Sequence, residues 1–160
     1  MKRQRLWTQT AHLLLLLCLL AGAAAAQENY LSLDKWVGKM PDRQFLALPA
    51  VHGALSSLLG DGLERFLGRF QQVTPIDRVS RDIVAQGCAR NNCKAEQAAF
   101  AIDLDTGEAS AATLTRGRYL DIYSKSTTSY DDLPPGLRRW ISSRTSQDPH
   151  FKRLKFRFHT

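Results

Sequence analysis

Cysteine and histidine are scarce in this chain, at three and four of 160 residues. The cysteines outside the N-terminal region, Cys88 and Cys93, have no second Cys or His pair near them, so no zinc-ligand pattern forms and no metal is expected. Their spacing is also not the Cys-x-x-Cys of thiol oxidoreductases. A glycine-rich phosphate loop is missing, as is any nucleic-acid-binding motif. His52 falls in an apolar helical stretch, while His150 and His159 lie near the C-terminus. None sits in a nucleophile, base and orienter pattern, so the chain reads as a non-enzyme needing no cofactor. Asp103, Asp105 and Glu108 cluster at a predicted hairpin turn, where turn chemistry accounts for them better than paired-carboxylate catalysis.

Long apolar runs are also missing after the first two dozen residues, which excludes a later membrane span. The exception at the start has the layout of an export signal. Lys2, Arg3 and Arg5 precede an apolar run from Leu13 to Leu20, and Ala24, Ala25 and Ala26 offer a small-residue cleavage site. Cleavage is expected after Ala26, which predicts a periplasmic or secreted protein. Cys18 lies inside the apolar run, unlike the small-residue context of a lipidation site. Subtracting the leader's three cations takes the formal charge of +7 to about +4. Export also places Cys88 and Cys93 where they can pair.

Residues 27–149 are expected to form one α+β domain, and residues 150–160 a basic tail or edge strand. Asn29 to Lys39 reads as a lead-in that caps the core. Pro49 opens a helix carrying Val51, Leu55, Leu58 and Leu59, with Gly60 as its stop. Asp61 and Glu64 resemble a capping box for a second helix with a Leu63, Phe66, Leu67 and Phe70 stripe. After Pro75 the periodicity changes to short strands. Residues 82–87, 97–103, 108–115 and 118–123 read as strands of an antiparallel meander, with turns at 104–107 and 116–117. A polar loop from Ser124 to Asp132 precedes a short helix from Leu137 to Ser143. The expected sheet has about five antiparallel strands, with N-terminal helices packed on it and a short C-terminal helix.

Only Ala89, Arg90, Asn91 and Asn92 lie between Cys88 and Cys93. So small a ring contributes about 2–3 kcal/mol through chain entropy. It also holds side chains outward, so that binding has less freedom to remove. Arg90 offers a five-donor fork for a carboxylate, and Asn91 and Asn92 carry amides that both donate and accept. A plain staple between two strands remains the alternative reading.

The order of Trp36-Val37-Gly38-Lys39-Met40-Pro41, Leu58-Leu59-Gly60, Gly87-Cys88 to Cys93, Glu96-Gln97-Ala98-Ala99 and Ile102-Asp103 resembles the Ivy family, the periplasmic inhibitors of vertebrate lysozyme. The resemblance implies an antiparallel sheet with packed helices. It also implies that the disulfide-closed loop enters a lysozyme cleft as a plug and performs no chemistry. Characterised inhibitors read Lys-Pro-His-Asp between the cysteines, where this chain has Ala89, Arg90, Asn91 and Asn92. Partner contact is therefore expected at Arg90, Asn91 and Asn92, against a lysozyme or another cell-wall glycan-cleaving enzyme. The charge of about +4 favours a target less basic than animal lysozymes. An envelope interaction module without inhibitory activity is the competing expectation, and a homodimer is compatible with the sequence.

Overall fold

In a computed structural model, residues 30–147 and 154–160 are described. The expected leader and His150 lie outside them.

A 3-10 helix, Ser32–Trp36, starts the described chain and buries Leu33. Three helices follow: α1 (Arg43–Leu46), α2 (Pro49–Leu59) and α3 (Leu63–Leu67). The Asp42 side chain accepts the Phe45 N–H at 2.9 Å and so caps α1. Pro49 stands in the first turn of α2, and Gly60 ends that helix at a φ of 49°. The expected capping box at Asp61 does not form. Residues Gly60–Gly62 make a 3-10 turn running straight into α3, and Leu63 N–H already donates to Gly60 O. With that donor satisfied, Asp61 has less to cap.

Among the described residues, seven strands form one sheet: β1 (Gln72–Val73), β2 (Asp77–Val79), β3 (Asp82–Cys88), β4 (Gln97–Asp103), β5 (Ala109–Thr115), β6 (Tyr119–Ser124) and β7 (Lys155–His159). The path across it is β1-β3-β4-β5-β6-β7, with β2 also paired to β3. Strands β3 to β6 are the expected antiparallel meander. The departures from about five antiparallel strands lie at the edges. Strand β1 is additional, and β7 joins β6 in parallel, which makes the sheet mixed. Parallel neighbours need a crossover, and α4 (Pro135–Gln147), longer than expected, supplies it.

Side chains alternate across the sheet and feed two cores. Ile83, Ala85, Ala98, Phe100 and Ile102 face the N-terminal helices with Phe45, Val51, Leu55 and Phe66. Val84, Ala99, Ala101, Ala112 and Ile122 face α4, where Leu137, Trp140 and Ile141 cover them. Six of the seven residues of β4 are buried, because helices cover both of its faces. The Phe100 ring lies 6.3 Å from Phe45, 6.3 Å from Phe66 and 5.7 Å from Phe70. A fully buried aromatic of this kind contributes roughly 1.5–3 kcal/mol. The rigid centre fixes the strand ends from which the loops project.

Candidate functional site

The Cys88–Cys93 disulfide forms where β3 leaves the sheet, one connection before β4. Cys88 stands opposite Gln97 in the ladder, and the Cα atoms of the two cysteines are 4.9 Å apart. Inside the ring, Asn92 N–H donates to Ala89 O at 3.0 Å. Asn91, third residue of this tight turn, has a φ of 60°. Asparagine and histidine both tolerate the left-handed region better than most residues, so Asn91 keeps the backbone demand of this position. Arg90, Asn91 and Asn92 are all exposed at the tip.

The ring is braced from both sides. On one side Arg90 N–H donates to Gln71 Oε1 at 3.0 Å, and the end of the Gln72 side chain rests on the disulfide. Proline at position 90 would have no N–H to give, so this tether belongs to the arginine version of the loop. On the other side, the Arg116-Gly117 turn between β5 and β6 meets the return arm. Gly117 N–H donates to Ala95 O and Arg116 N–H to Glu96 Oε1, each at 3.0 Å. Glu96 also pairs with Arg69 at 2.9 Å, and Arg69 reaches Thr115 Oγ1 at 3.2 Å and Arg65 O at 2.9 Å. Arg69 is only 9% exposed, so this pair is largely shielded from water and screened less than a surface pair.

Gly87 makes this crossing fit. A Cβ there would stand 3.0 Å from Phe70 Cα and 3.2 Å from Arg69 O. The glycine before Cys88 thus lets the segment after α3 lie directly on β3, which carries Gln71 and Gln72 to the loop.

Arg90, Lys94, Arg116 and Arg118 are exposed around the loop and its bracing turn. This end of the sheet is cationic and carries donors at its tip. The structure brings the expected trio of Arg90, Asn91 and Asn92 together. It adds Gln71, Arg69 and Glu96 as supports, of which only Glu96 lay in a motif that the sequence had singled out. Gln71 and Arg69 carry no local signal, because their role arises from packing across the sheet.

The remaining candidates are elsewhere. His52 is exposed and lines a groove of about 630 Å³ with Asp42, Arg43, Glu64 and Gln71. His159 lies on β7, not in a frayed tail; its Nε2 is 2.9 Å from Asp121 Oδ1 and its ring stacks on Tyr123. Asp103 Oδ1 accepts the N–H groups of Asp105 and Thr106 at 2.8 and 2.9 Å, the turn role expected of it. Among the described residues, no cluster of three His, Cys, Asp or Glu side chains is placed to hold a metal ion. Among them, too, no helix is long and apolar enough to cross a membrane.

The family model described as "Inhibitor of vertebrate lysozyme (Ivy)" matches residues 50–147, more than half of the chain. No match was found among curated proteins or among solved structures. The matched span runs from α2 through the disulfide loop to the end of α4, and the chain belongs to the Ivy family of lysozyme inhibitors.

Proposed function

We propose that this protein acts outside the cytoplasm, in the periplasm or as a secreted protein, and inhibits a lysozyme-type glycan-cleaving enzyme by placing its Cys88–Cys93 loop in the enzyme's cleft. The observation that carries this reading is the double bracing of an exposed Arg90-Asn91-Asn92 turn at a cationic end of the sheet. Glycoside hydrolases of this kind work with two carboxylates flanking the scissile bond. Arg90 donates to such a carboxylate through its fork, and the amides of Asn91 and Asn92 bond to the polar wall. Because the ring is already closed and tethered, little conformational freedom is lost on binding. The inhibitor occupies the cleft and makes or breaks no covalent bond.

The net charge influences which enzyme is met first. A strongly basic enzyme approaches the cationic loop end against long-range repulsion, so a less basic enzyme associates faster at low salt. The test is inhibition by the purified protein across a panel of animal and bacterial lysozymes, with Arg90→Ala beside it. Loss of one charge-assisted contact weakens inhibition about tenfold or more. An unchanged inhibition constant for Arg90→Ala places the contact elsewhere. Binding to none of the enzymes, with the disulfide formed, removes the reading altogether.

A further inference from the structure

At the opposite end of the sheet, Asp82 opens β3 directly across from Asp103, the last residue of β4. Like charges facing each other on paired strands repel. The surroundings provide for Asp103: two backbone N–H groups bind Oδ1, and Arg81 Nε lies 3.2 Å from Oδ2. Asp82 has no such provision. It is 5% exposed, and among the described residues its carboxylate has neither a hydrogen bond nor an ion pair. A residue buried to this extent is costly to keep ionised when its charge has no partner.

Asp82 forms part of the wall of a cavity of about 320 Å³, together with Asp103, Glu108, Asp132, Ser80 and Ser110. Arg81 also lines it, but its side chain is 64% exposed and its guanidinium is engaged with Asp103 and Asp105. Four carboxylates therefore border the space against one cation that is already committed. These side chains do not converge as metal ligands do among the described residues, and the volume exceeds what a bare ion needs. We propose that this cavity binds the ammonium or guanidinium group of an organic cation, with Asp82 as its main charge partner and the serine hydroxyls accepting its remaining N–H groups.

Burial, then the charge of Asp103, pushes the Asp82 carboxyl up to about 6, with Arg81 opposing in part. Glu108, Asp105 and Asp132 are the other acidic groups around it. The cation competes with the proton for Asp82, so binding strengthens as pH rises through about 6. The site lies at the far end from the disulfide loop, and its test is independent of lysozyme inhibition.

The experiment is a titration of the purified protein with n-butylammonium and, separately, with N-acetyl-arginine amide, followed by the carboxyl carbon resonances of Asp82 and Asp132. The expected result is a saturable shift of both resonances above pH 6, with a lower titration midpoint for Asp82 when the probe is bound. Asp82→Asn should weaken binding about tenfold. Asp132→Asn, at an exposed position on the rim, gives a smaller loss and keeps the test intact if the first variant folds poorly. Saturation by butylammonium alone identifies a diffusible amine, and saturation by the capped arginine identifies a basic side chain of a partner protein. A shift that sodium chloride reproduces at equal ionic strength, or equal binding by the wild type and both variants, overturns the proposal.

Discussion

Gln71 Oε1 accepts the backbone N–H of Arg90 at 3.0 Å, joining the segment after α3 to the second residue of the disulfide-closed turn. A proline at position 90 limits the loop through its own ring, whereas this chain limits it from outside. Gln71→Ala is expected to weaken lysozyme inhibition about fivefold, in line with the loss of roughly 1 kcal/mol from one neutral hydrogen bond. Gln71→Glu retains an acceptor and restores much of it. Hydrogen exchange at the Arg90 amide separates this role from general damage, since that amide should lose protection in Gln71→Ala while β4 keeps its own. An inhibition constant unchanged in Gln71→Ala would falsify the tether.

The Arg69–Glu96 pair supports the other arm of the loop. Glu96→Ala leaves Arg69, 9% exposed, with Thr115 and Arg65 as its remaining partners among the described residues, and removes the acceptor for Arg116 N–H. The expected cost is about 3 kcal/mol of folding stability, read as a lower denaturation midpoint. Glu96→Gln keeps the acceptor oxygen and costs less. Equal stabilities for Glu96→Ala and wild type would mean that the pair contributes nothing net.

These supports mark the boundary of what the amino-acid pattern reveals. Strand β4 and its partner β5 were legible because their apolar run and the Asp103 to Gly107 turn are local signals. Arg90, Asn91 and Asn92 were legible as one candidate surface because the two cysteines bracket them. Gln71 was not, since its meeting with Arg90 depends on Gly87 letting the chain cross close to β3. Strand β7 showed alternation of Lys155, Phe156, Arg157 and Phe158, but its parallel pairing to β6 depends on where α4 returns the chain. Asp61 and Glu64 gave the reverse case, a local cap signal bypassed by the 3-10 turn at Gly60–Gly62. That Asp82 has no partner among the described residues likewise depends on register, which sets it opposite Asp103.

Reduction of the disulfide, or the Cys88→Ser and Cys93→Ser double variant, should affect inhibition more than stability. Opening a ring of this size costs about 2 kcal/mol of stability on the chain-entropy account. The Arg90-Asn91-Asn92 turn then samples other conformations and must be reordered on binding. Inhibition measured with and without reductant, beside the denaturation midpoint, checks this. Retention of full inhibition by a folded, reduced protein would show that the loop does not need to be held rigid.

Asp82 should give folding stability a dependence on pH opposite to that of an ordinary paired carboxylate. Its proton leaves near 3.8 in the unfolded chain and at about 6 in the folded one. Below 3.8 both states hold the proton, and Asp82 carries no penalty. Between the two values only the folded state retains it, so this group's contribution falls as pH rises, and above about 6 the loss is complete. Asp82→Asn removes the charge without removing the polar side chain, and so should stabilise the protein above pH 6 by on the order of 1–2 kcal/mol. Well below 3.8 the gain should be close to nil, since Asp82 is then protonated in the folded and the unfolded chain alike. Urea denaturation of the two proteins across this range isolates the effect, because Asp103, Glu108 and the other carboxylates are common to both. A difference that stays constant with pH would mean that Asp82 titrates alike in the folded and unfolded chains.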